Sequence, residues 1–238
     1  MNAFCPNLSN KKVKQEFDEL TSLFGEDAAY FLWDKNNGYS LDKAPSGADS
    51  ILFKSLLDNY NGDRQAALKA KAKVYTSNFT NWFGDWTKEN KTDVSKVVDE
   101  NGEPLIVYHS TNKIFNTYKE RDGIHFGSYN TALGVANEKF DPTFDTIEEA
   151  QASIAKGKFR IDQVFLNIRN PKQSKDLGTG WKQLITEGFD GGLYRAVEGD
   201  TSFVVFDSNQ IKSATDNKGT FSTQNDNIYE SKQDIVSQ

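Results

Sequence analysis

The feature that most constrains the fold is a series of five short β-type segments in the later part of the chain. Each is rich in β-branched or aromatic residues and is bounded by Gly, Asn, Asp or Pro, as strands separated by turns are. The segments are PLIVYHS, GIHFGS, RIDQVFLNIRN, GGLYR and SFVVFDS. Two stretches of helical periodicity, IEEAQASIAKG and GWKQLITEG, lie between them. This mixture predicts an α+β domain with a twisted, mostly antiparallel sheet.

The earlier part of the chain has a helical pattern instead. Apolar residues recur at spacings of three and four over Val13–Phe24, and further helices are expected around Asp27–Trp33 and from Asp49 onward. The segment RQAALKAKAKVY has strong helix propensity. A polar connector, TKENKTDVSK, follows. We therefore predict a small helical subdomain over residues 1–86 and a second domain over residues 87–238.

Two clusters in the helical part are expected to be structural. The aromatic residues Trp82, Phe83 and Trp86 are expected to pack in a core. The lysines near residue 70 are expected to form the solvated face of a helix; they are Lys69, Lys71 and Lys73.

The chain has few residues that could ligate a metal or form disulfides. It contains one cysteine, Cys5, and two histidines, His109 and His125. One thiol cannot form an intrachain disulfide framework or a cysteine zinc cluster, and two imidazoles are too few for a histidine-rich site. We therefore expect no metal. A Cys–His protease is compatible with the residue types, but Cys5 lies in a terminal segment, where order is least.

Charge and hydropathy exclude further classes. The 238 residues carry a net charge of −6, which disfavours a nucleic-acid binder, because phosphate contacts need clustered Lys and Arg. No apolar run approaches the roughly 18 residues of a membrane span. The start, MNAFCPNLSNKK, lacks the apolar region of a signal peptide. We expect a cytoplasmic protein, or one delivered to another cell without a signal peptide, and a monomer is compatible with the sequence.

The two histidines are the first candidates for chemistry. His109 ends a predicted strand and is followed by Ser110, whereas His125 lies within GIHFGS, near the next strand. Either histidine alone would ordinarily be a structural hydrogen-bonding residue. Because both histidines lie at strand ends, the alternative is that they share a pocket.

The segment that contains His109 resembles a known family. Val97–Thr111 reads VVDENGEPLIVYHST and resembles the first motif of ADP-ribosyltransferases, above all the type found in polyvalent proteins of phages and mobile elements, related to diphtheria toxin and PARP enzymes. GIHFGS is similar to the second motif, and the later blocks follow in the family's order: VFLNIRNP, GFDGGLYR and FVVFDSNQIKSATDN. NFTNWFGDW resembles the segment that commonly precedes this domain. The resemblance covers roughly residues 75–230 and implies a split, twisted sheet with flanking helices.

The resemblance implies an enzyme that transfers ADP-ribose from NAD to a protein and releases nicotinamide, as a bacterial or phage effector or toxin. Such glycosyl transfer passes through an oxocarbenium-like transition state, which negative charge stabilises. By resemblance, His109 would bind the adenosine ribose, and Ser110 and Thr111 would hold NAD through their backbone. His125 stands where many relatives carry a tyrosine that packs against nicotinamide. The second motif supplies the remaining expected NAD contacts, which are Gly123, Ile124, His125, Phe126, Gly127 and Ser128.

The third motif departs from the family. PARP-type enzymes have a glutamate immediately before the last strand, and this chain has Ser202 there. Glu198 and Asp200 lie just upstream, and Asp200 could substitute because residues two apart in a strand share a face. Both acids could equally be solvated loop residues. Two functions therefore stay open: a transferase that uses one of these carboxylates, and a catalytically degenerate module that binds NAD or a partner. A nuclease acting through the histidines is a third, without a basic groove to support it.

Two residues near the fourth block are further candidates. Tyr194 and Arg195 end the segment GGLYR and could line the cleft. Gly191 and Gly192 are not expected to bind phosphate, because the surrounding spacing is not that of a phosphate loop.

Overall fold

A computed structural model describes residues 7–24, 33–34, 38–39, 51–88, 91–119, 123–174, 180–195 and 200–230. Within these ranges the chain forms seven α-helices and nine strands, which confirms the predicted α+β class. The chain divides into two units. The first comprises Met1–Asp93, Val98–Leu105 and Lys218–Ser222, and the second comprises Val94–Val97, Ile106–Asn217 and Thr223–Gln238. The division predicted between residues 86 and 87 falls inside the first unit.

Two helices of the first unit are capped by side chains that accept backbone hydrogen bonds. The Asp63 side chain accepts from the Ala66 amide, and the Thr76 hydroxyl accepts from the Phe79 amide. The helices are α1 (Lys11–Phe24), α2 (Ile51–Asn59), α3 (Arg64–Ala72) and α4 (Ser77–Phe83). Two short antiparallel strands also belong to this unit, β1 (Trp33–Asp34) and β2 (Gly38–Tyr39). Apart from Trp33, the helix expected around Asp27–Trp33 lies outside the described residues.

An aromatic core holds the first unit together. Phe79 stacks on Phe83 with ring centroids 5.0 Å apart, and Phe221 contacts Phe79 edge-on at 4.9 Å. The Trp86 indole donates a hydrogen bond of 3.0 Å to the Val74 carbonyl. The expectation that Trp82, Phe83 and Trp86 are core residues is confirmed, because all three are buried.

The expectation that Lys71 lies on a solvated helix face is wrong. Lys71 is completely buried, with its ammonium group 6.0 Å from the centroid of the Phe53 ring. Burial lowers the pKa of Lys71, and the negative charges of Glu103 and Asp99 oppose that change. These acids come from a later turn of the chain, so the composition of the helix could not reveal them.

Two mostly antiparallel sheets form the second unit. The first has the order β3-β5-β9, and the second has the order β4-β8-β7-β6, in which β6 and β7 are parallel. The strands are β3 (Val107–Thr111), β4 (Ile124–Phe126), β5 (Arg160–Leu166), β6 (Pro171–Gln173), β7 (Gly191–Arg195), β8 (Thr201–Val205) and β9 (Ile211–Ser213). Each of the five predicted segments contains a strand. The sequence did not predict β6 and β9, because PKQ contains no β-branched or aromatic residue and IKS contains only one.

The two sheets meet at a β-bridge between Tyr108 of β3 and Gly127, which follows β4. The Tyr108 amide donates to the Gly127 carbonyl at 2.9 Å, and the Gly127 amide donates to the Tyr108 carbonyl at 3.1 Å. A Cβ atom at Gly127 would lie 2.8 Å from Thr131 Cγ2 and 2.9 Å from Thr131 Cβ. Glycine at position 127 therefore allows Thr131 to pack closely beside this junction.

Three helices pack in the second unit: α5 (Tyr129–Lys139), α6 (Ile147–Ala155) and α7 (Trp181–Thr186). Helices α6 and α7 confirm the predicted helical periodicity, and Thr146 with Glu149 forms a capping box at the start of α6. Helix α5 was not predicted from the sequence; its buried residues are mostly small and include Ala132 and Ala136. Small residues give a weak apolar stripe, so the helix is hard to recognise by periodicity.

The last described residues pack against the first sheet. The Ile228 amide donates to the Asn116 carbonyl at 2.8 Å, and the Ile228 carbonyl accepts from the Ser213 amide at 3.0 Å. The Glu230 carboxylate pairs with the Lys212 ammonium, and both side chains are almost completely buried. These contacts order a segment whose composition is polar.

The buried ion pair leads to a prediction about stability. Lys212→Met removes the cation that pairs with Glu230, and we expect it to lower the free energy of unfolding by about 3–5 kcal/mol, because it leaves a buried charge uncompensated. Urea denaturation followed by circular dichroism measures the change. Lys14→Met is the control, since the Lys14–Asp18 pair is exposed and such pairs contribute about 0–1 kcal/mol. Equal losses in the two variants would contradict the prediction.

Candidate functional site

A cavity of about 890 Å³ opens beside the bridge that joins the two sheets. Its wall is formed by strands β3 and β4, helix α5, the loop that follows β3, and Tyr194 of β7. Seven of the residues expected to bind NAD line this cavity: His109, Ser110, Gly123, Ile124, His125, Phe126 and Gly127. Thr111 and Ser128 are not among the lining residues. The Thr111 hydroxyl accepts from the Lys113 amide at 3.2 Å, and the Ser128 hydroxyl caps α5 by accepting from the Thr131 amide at 3.2 Å.

His109 connects the two sheets through its side chain. Its Nδ1 lies 2.8 Å from the carbonyl oxygen of His125. Because a carbonyl only accepts, Nδ1 carries the proton, and Nε2 of the neutral ring is left as an acceptor. The imidazole also contacts the rings of Tyr118 and Phe126, with centroids 5.3 and 5.4 Å away. Burial lowers the pKa of His109, although the nearby Asp162 carboxylate opposes this effect. The uncharged form is therefore favoured.

His125 lies in an aromatic environment. Its Nδ1 is 3.2 Å from the Tyr194 hydroxyl, and its ring meets those of Trp181 and Tyr194 edge-on, with centroids 6.0 and 5.8 Å away. Burial is the main cause that lowers the pKa of His125, and the neighbouring His109 lowers it further. This half-buried ring is thus a flat, mostly uncharged surface at the cavity wall.

The register of the second sheet places Ser202 on the same face as His125. His125 lies opposite Val204, and Tyr194 lies opposite Ser202. Opposed residues in antiparallel strands share a face, as do residues two apart such as Ser202 and Val204. His125, Tyr194 and Ser202 therefore occupy one face. Ser202 itself is completely buried.

Asp200, one of the two predicted carboxylates, does not line the cavity. It is exposed and precedes β8 by one residue. Glu198 lies outside the described residues. Of the two further candidates, Tyr194 lines the cavity, whereas Arg195 is exposed and does not. Within the described part of the chain, the cavity lining contains no Asp or Glu.

A polar network that was not predicted from the sequence holds the cavity wall. The Tyr118 hydroxyl donates to Asp162 Oδ2 at 2.6 Å, and Arg160 Nε lies 3.0 Å from Asp162 Oδ1. Burial, together with the negative charge of Asp162, raises the pKa of Tyr118 well above its usual value, so its hydroxyl stays protonated. Tyr118 lines the cavity, and Asp162 lies opposite His109 in the β3–β5 register. Only this strand pairing brings the residues together, and no local motif marks them.

The lining also includes three lysines that the sequence analysis did not single out, Lys113, Lys119 and Lys139. They come from the loop after β3 and from the last turn of α5. Their spacing along the chain shows no motif, so only the fold could identify them as neighbours of the histidines.

No protein-family model, curated protein or solved structure matches this chain. Among the described residues, no group of three or more His, Cys, Asp and Glu side chains is arranged to hold a metal ion. The helices in those ranges are also too short or too polar to cross a membrane.

The environments of the histidines lead to a prediction about titration. We expect both imidazoles to titrate below pH 6.5, because burial disfavours their charged forms. As the pH falls below 6.5, the histidines of the unfolded chain are therefore protonated before those of the folded chain. The free energy of unfolding decreases between pH 6.5 and the lowered pKa values, and it is unaffected by these groups above that range. Histidine C–H signals in NMR spectra measure the midpoints, and His125→Gln assigns the two signals because the chain has only two histidines. A midpoint above 6.5 for His109 would contradict the prediction.

Proposed function

We propose that this protein is an ADP-ribosyltransferase that binds NAD in the cavity, transfers ADP-ribose to a protein and releases nicotinamide. The observation that carries the proposal is the position of the two motif histidines. His109 and His125, 16 residues apart in sequence, are linked by a hydrogen bond of 2.8 Å and line the same cavity. The proposed fold is accordingly the split-sheet fold of that family.

The dimensions and chemistry of the cavity support a dinucleotide as ligand. Ligand pockets usually have volumes of about 300–1,000 Å³, and this cavity of about 890 Å³ lies toward the upper end. Nε2 of His109 is an acceptor for a ribose hydroxyl. The flat ring of His125, backed by Trp181 and Tyr194, is a surface on which nicotinamide would stack.

The proposed reaction breaks the bond between nicotinamide and C1′ of the ribose. The bonding electrons leave with nicotinamide, positive charge develops on the ribose, and a nucleophile of the acceptor protein forms the new bond to C1′. The proton of the nucleophile passes to a base or to solvent. Glu198 or Asp200, which precede β8, is the carboxylate proposed to stabilise the developing cation. We further propose that the protein is a bacterial or phage effector or toxin that acts on a protein of another cell.

A second function is favoured by a specific observation. Ser202 replaces the family's glutamate, and the described cavity lining has no carboxylate. Loss of a group that stabilises the transition state typically costs about 10²–10³ in rate. We therefore keep as an alternative that the protein binds NAD, or a partner, without catalysing transfer.

The experiment that tests these functions measures NAD binding and nicotinamide release by the purified protein. Biotin-tagged NAD and lysates of bacterial and eukaryotic cells, with a streptavidin blot, detect the acceptor protein. We expect His109→Ala to weaken NAD binding and to lower nicotinamide release by about 100-fold, because it removes the ribose acceptor and the link between the sheets. Circular dichroism of the variant reports whether it is folded.

Carboxylate variants decide between the two functions. Asp200→Ala or Glu198→Ala should abolish nicotinamide release if the protein is a transferase, whereas Asp145→Ala, at an exposed loop acid outside the cavity lining, should not. Wild-type protein that binds NAD and releases no nicotinamide would establish the binding module. Wild-type protein that does not bind NAD, or a folded His109→Ala variant that binds it equally well, would disprove the proposed site.

A further inference from the structure

The lining of the cavity is basic, although the chain as a whole is acidic. The full sequence has 34 Asp and Glu residues against 28 Lys and Arg residues. The described lining instead contains three cationic residues, Lys113, Lys119 and Lys139, and no acid. A cavity lined by lysine side chains in an otherwise acidic protein is suited to an anionic ligand.

These three lysines differ from two other lysines of the same unit, which are paired with acids. Lys158 pairs with Asp141 at 2.9 Å, and Lys212 pairs with Glu230. No ion pair or side-chain hydrogen bond connects the ammonium groups of Lys113, Lys119 and Lys139 to any residue in the described ranges. Their charges are therefore available to a ligand without first breaking a contact within that part of the chain.

Lys139 has the most defined position of the three. Thr131, Val135 and Lys139 are four residues apart in α5 and all line the cavity, so they form one stripe of the helix. The positive charge of Lys139 lowers the pKa values of both His109 and His125, which places it within electrostatic range of both. The ammonium group thus belongs to the same site as the two imidazoles.

We propose that the cavity contains a phosphate-binding site in which Lys139, assisted by Lys113 and Lys119, contacts the pyrophosphate of a nucleotide. The ligand class is therefore nucleotides that carry a pyrophosphate, in preference to nucleosides. The identification of this nucleotide as NAD rests on the proposed function. The anion site itself is independent of that function. Charge-assisted hydrogen bonds from an ammonium to phosphate oxygens are strong, and the three rotatable donors of lysine suit a phosphate.

Lys139 could instead have a purely structural role. It lies in the last turn of α5, where a positive charge interacts favourably with the helix dipole. With such a role, replacing Lys139 would change the free energy of unfolding of the ligand-free protein. It would also change the affinity for every ligand by the same factor. A phosphate contact would affect only ligands that carry phosphate.

The experiment is calorimetric titration of the full chain with three probes: ADP-ribose, inorganic pyrophosphate and adenosine. Lys139→Gln is compared with Lys156→Gln, a matched control at an exposed lysine that follows α6 and does not line the cavity. We expect Lys139→Gln to weaken ADP-ribose and pyrophosphate binding about 10-fold and to leave adenosine binding unchanged. The control should bind all three probes within about 2-fold of wild type. Urea denaturation of both variants measures the structural contribution.

The outcomes separate this inference from the proposed function. If Lys139→Gln binds ADP-ribose and pyrophosphate as tightly as wild type, or loses affinity for all three probes equally, the phosphate site is disproved, while NAD binding and nicotinamide release by the wild type still support a transferase. If the wild type binds pyrophosphate through Lys139 but binds neither ADP-ribose nor NAD, the anion site stands and the proposed function fails. Wild-type protein that binds none of these molecules would overturn both.

Discussion

The second unit depends on the short contact between β3 and β4. Tyr108 and Gly127 exchange two backbone hydrogen bonds, and His109 adds a third from its side chain to the carbonyl of His125. Strand β3 pairs with β5 in the first sheet, and β4 pairs with β8 in the second. The contact between β3 and β4 therefore joins the two sheets. The cavity opens beside the junction, and the histidine that completes the junction also lines the cavity. One imidazole therefore completes the junction and, under the proposed function, also binds the ligand.

The electrostatics of the site follow from the same packing. Burial favours the neutral forms of His109 and His125, so their rings act as hydrogen-bonding and stacking groups. Asp162, the acid nearest to His109 across the β3–β5 ladder, is satisfied by Tyr118 and Arg160 and is not part of the lining. The charge that the described residues present to the cavity is therefore positive, which suits phosphate groups better than a developing cation.

Much of the local structure could be predicted from the sequence. All five β-type segments contain strands, and the helices α6 and α7 follow the expected periodicity, because these elements depend on propensity and patterning within a few residues. Helix α5, with its small buried residues, and the strands β6 and β9, with almost no β-branched or aromatic residues, carry too little local signal. The burial of Lys71 was missed for another reason. Burial lowers the pKa of Lys71, and the acids that oppose this change, Glu103 and Asp99, are distant from it in sequence.

Patterning along the chain was enough to predict the α+β class and to identify the two histidines as candidates for one site. Strand pairing was needed to show that His109 contacts His125, that Ser202 shares a face with His125 and Tyr194, and that Asp200 lies outside the cavity lining. The tertiary structure also brought Lys139 to the histidines, from a helix that the sequence did not reveal. The physical reason is that patterning reports which face of an element is buried, whereas a site is made by strand register and helix packing between residues far apart in the chain.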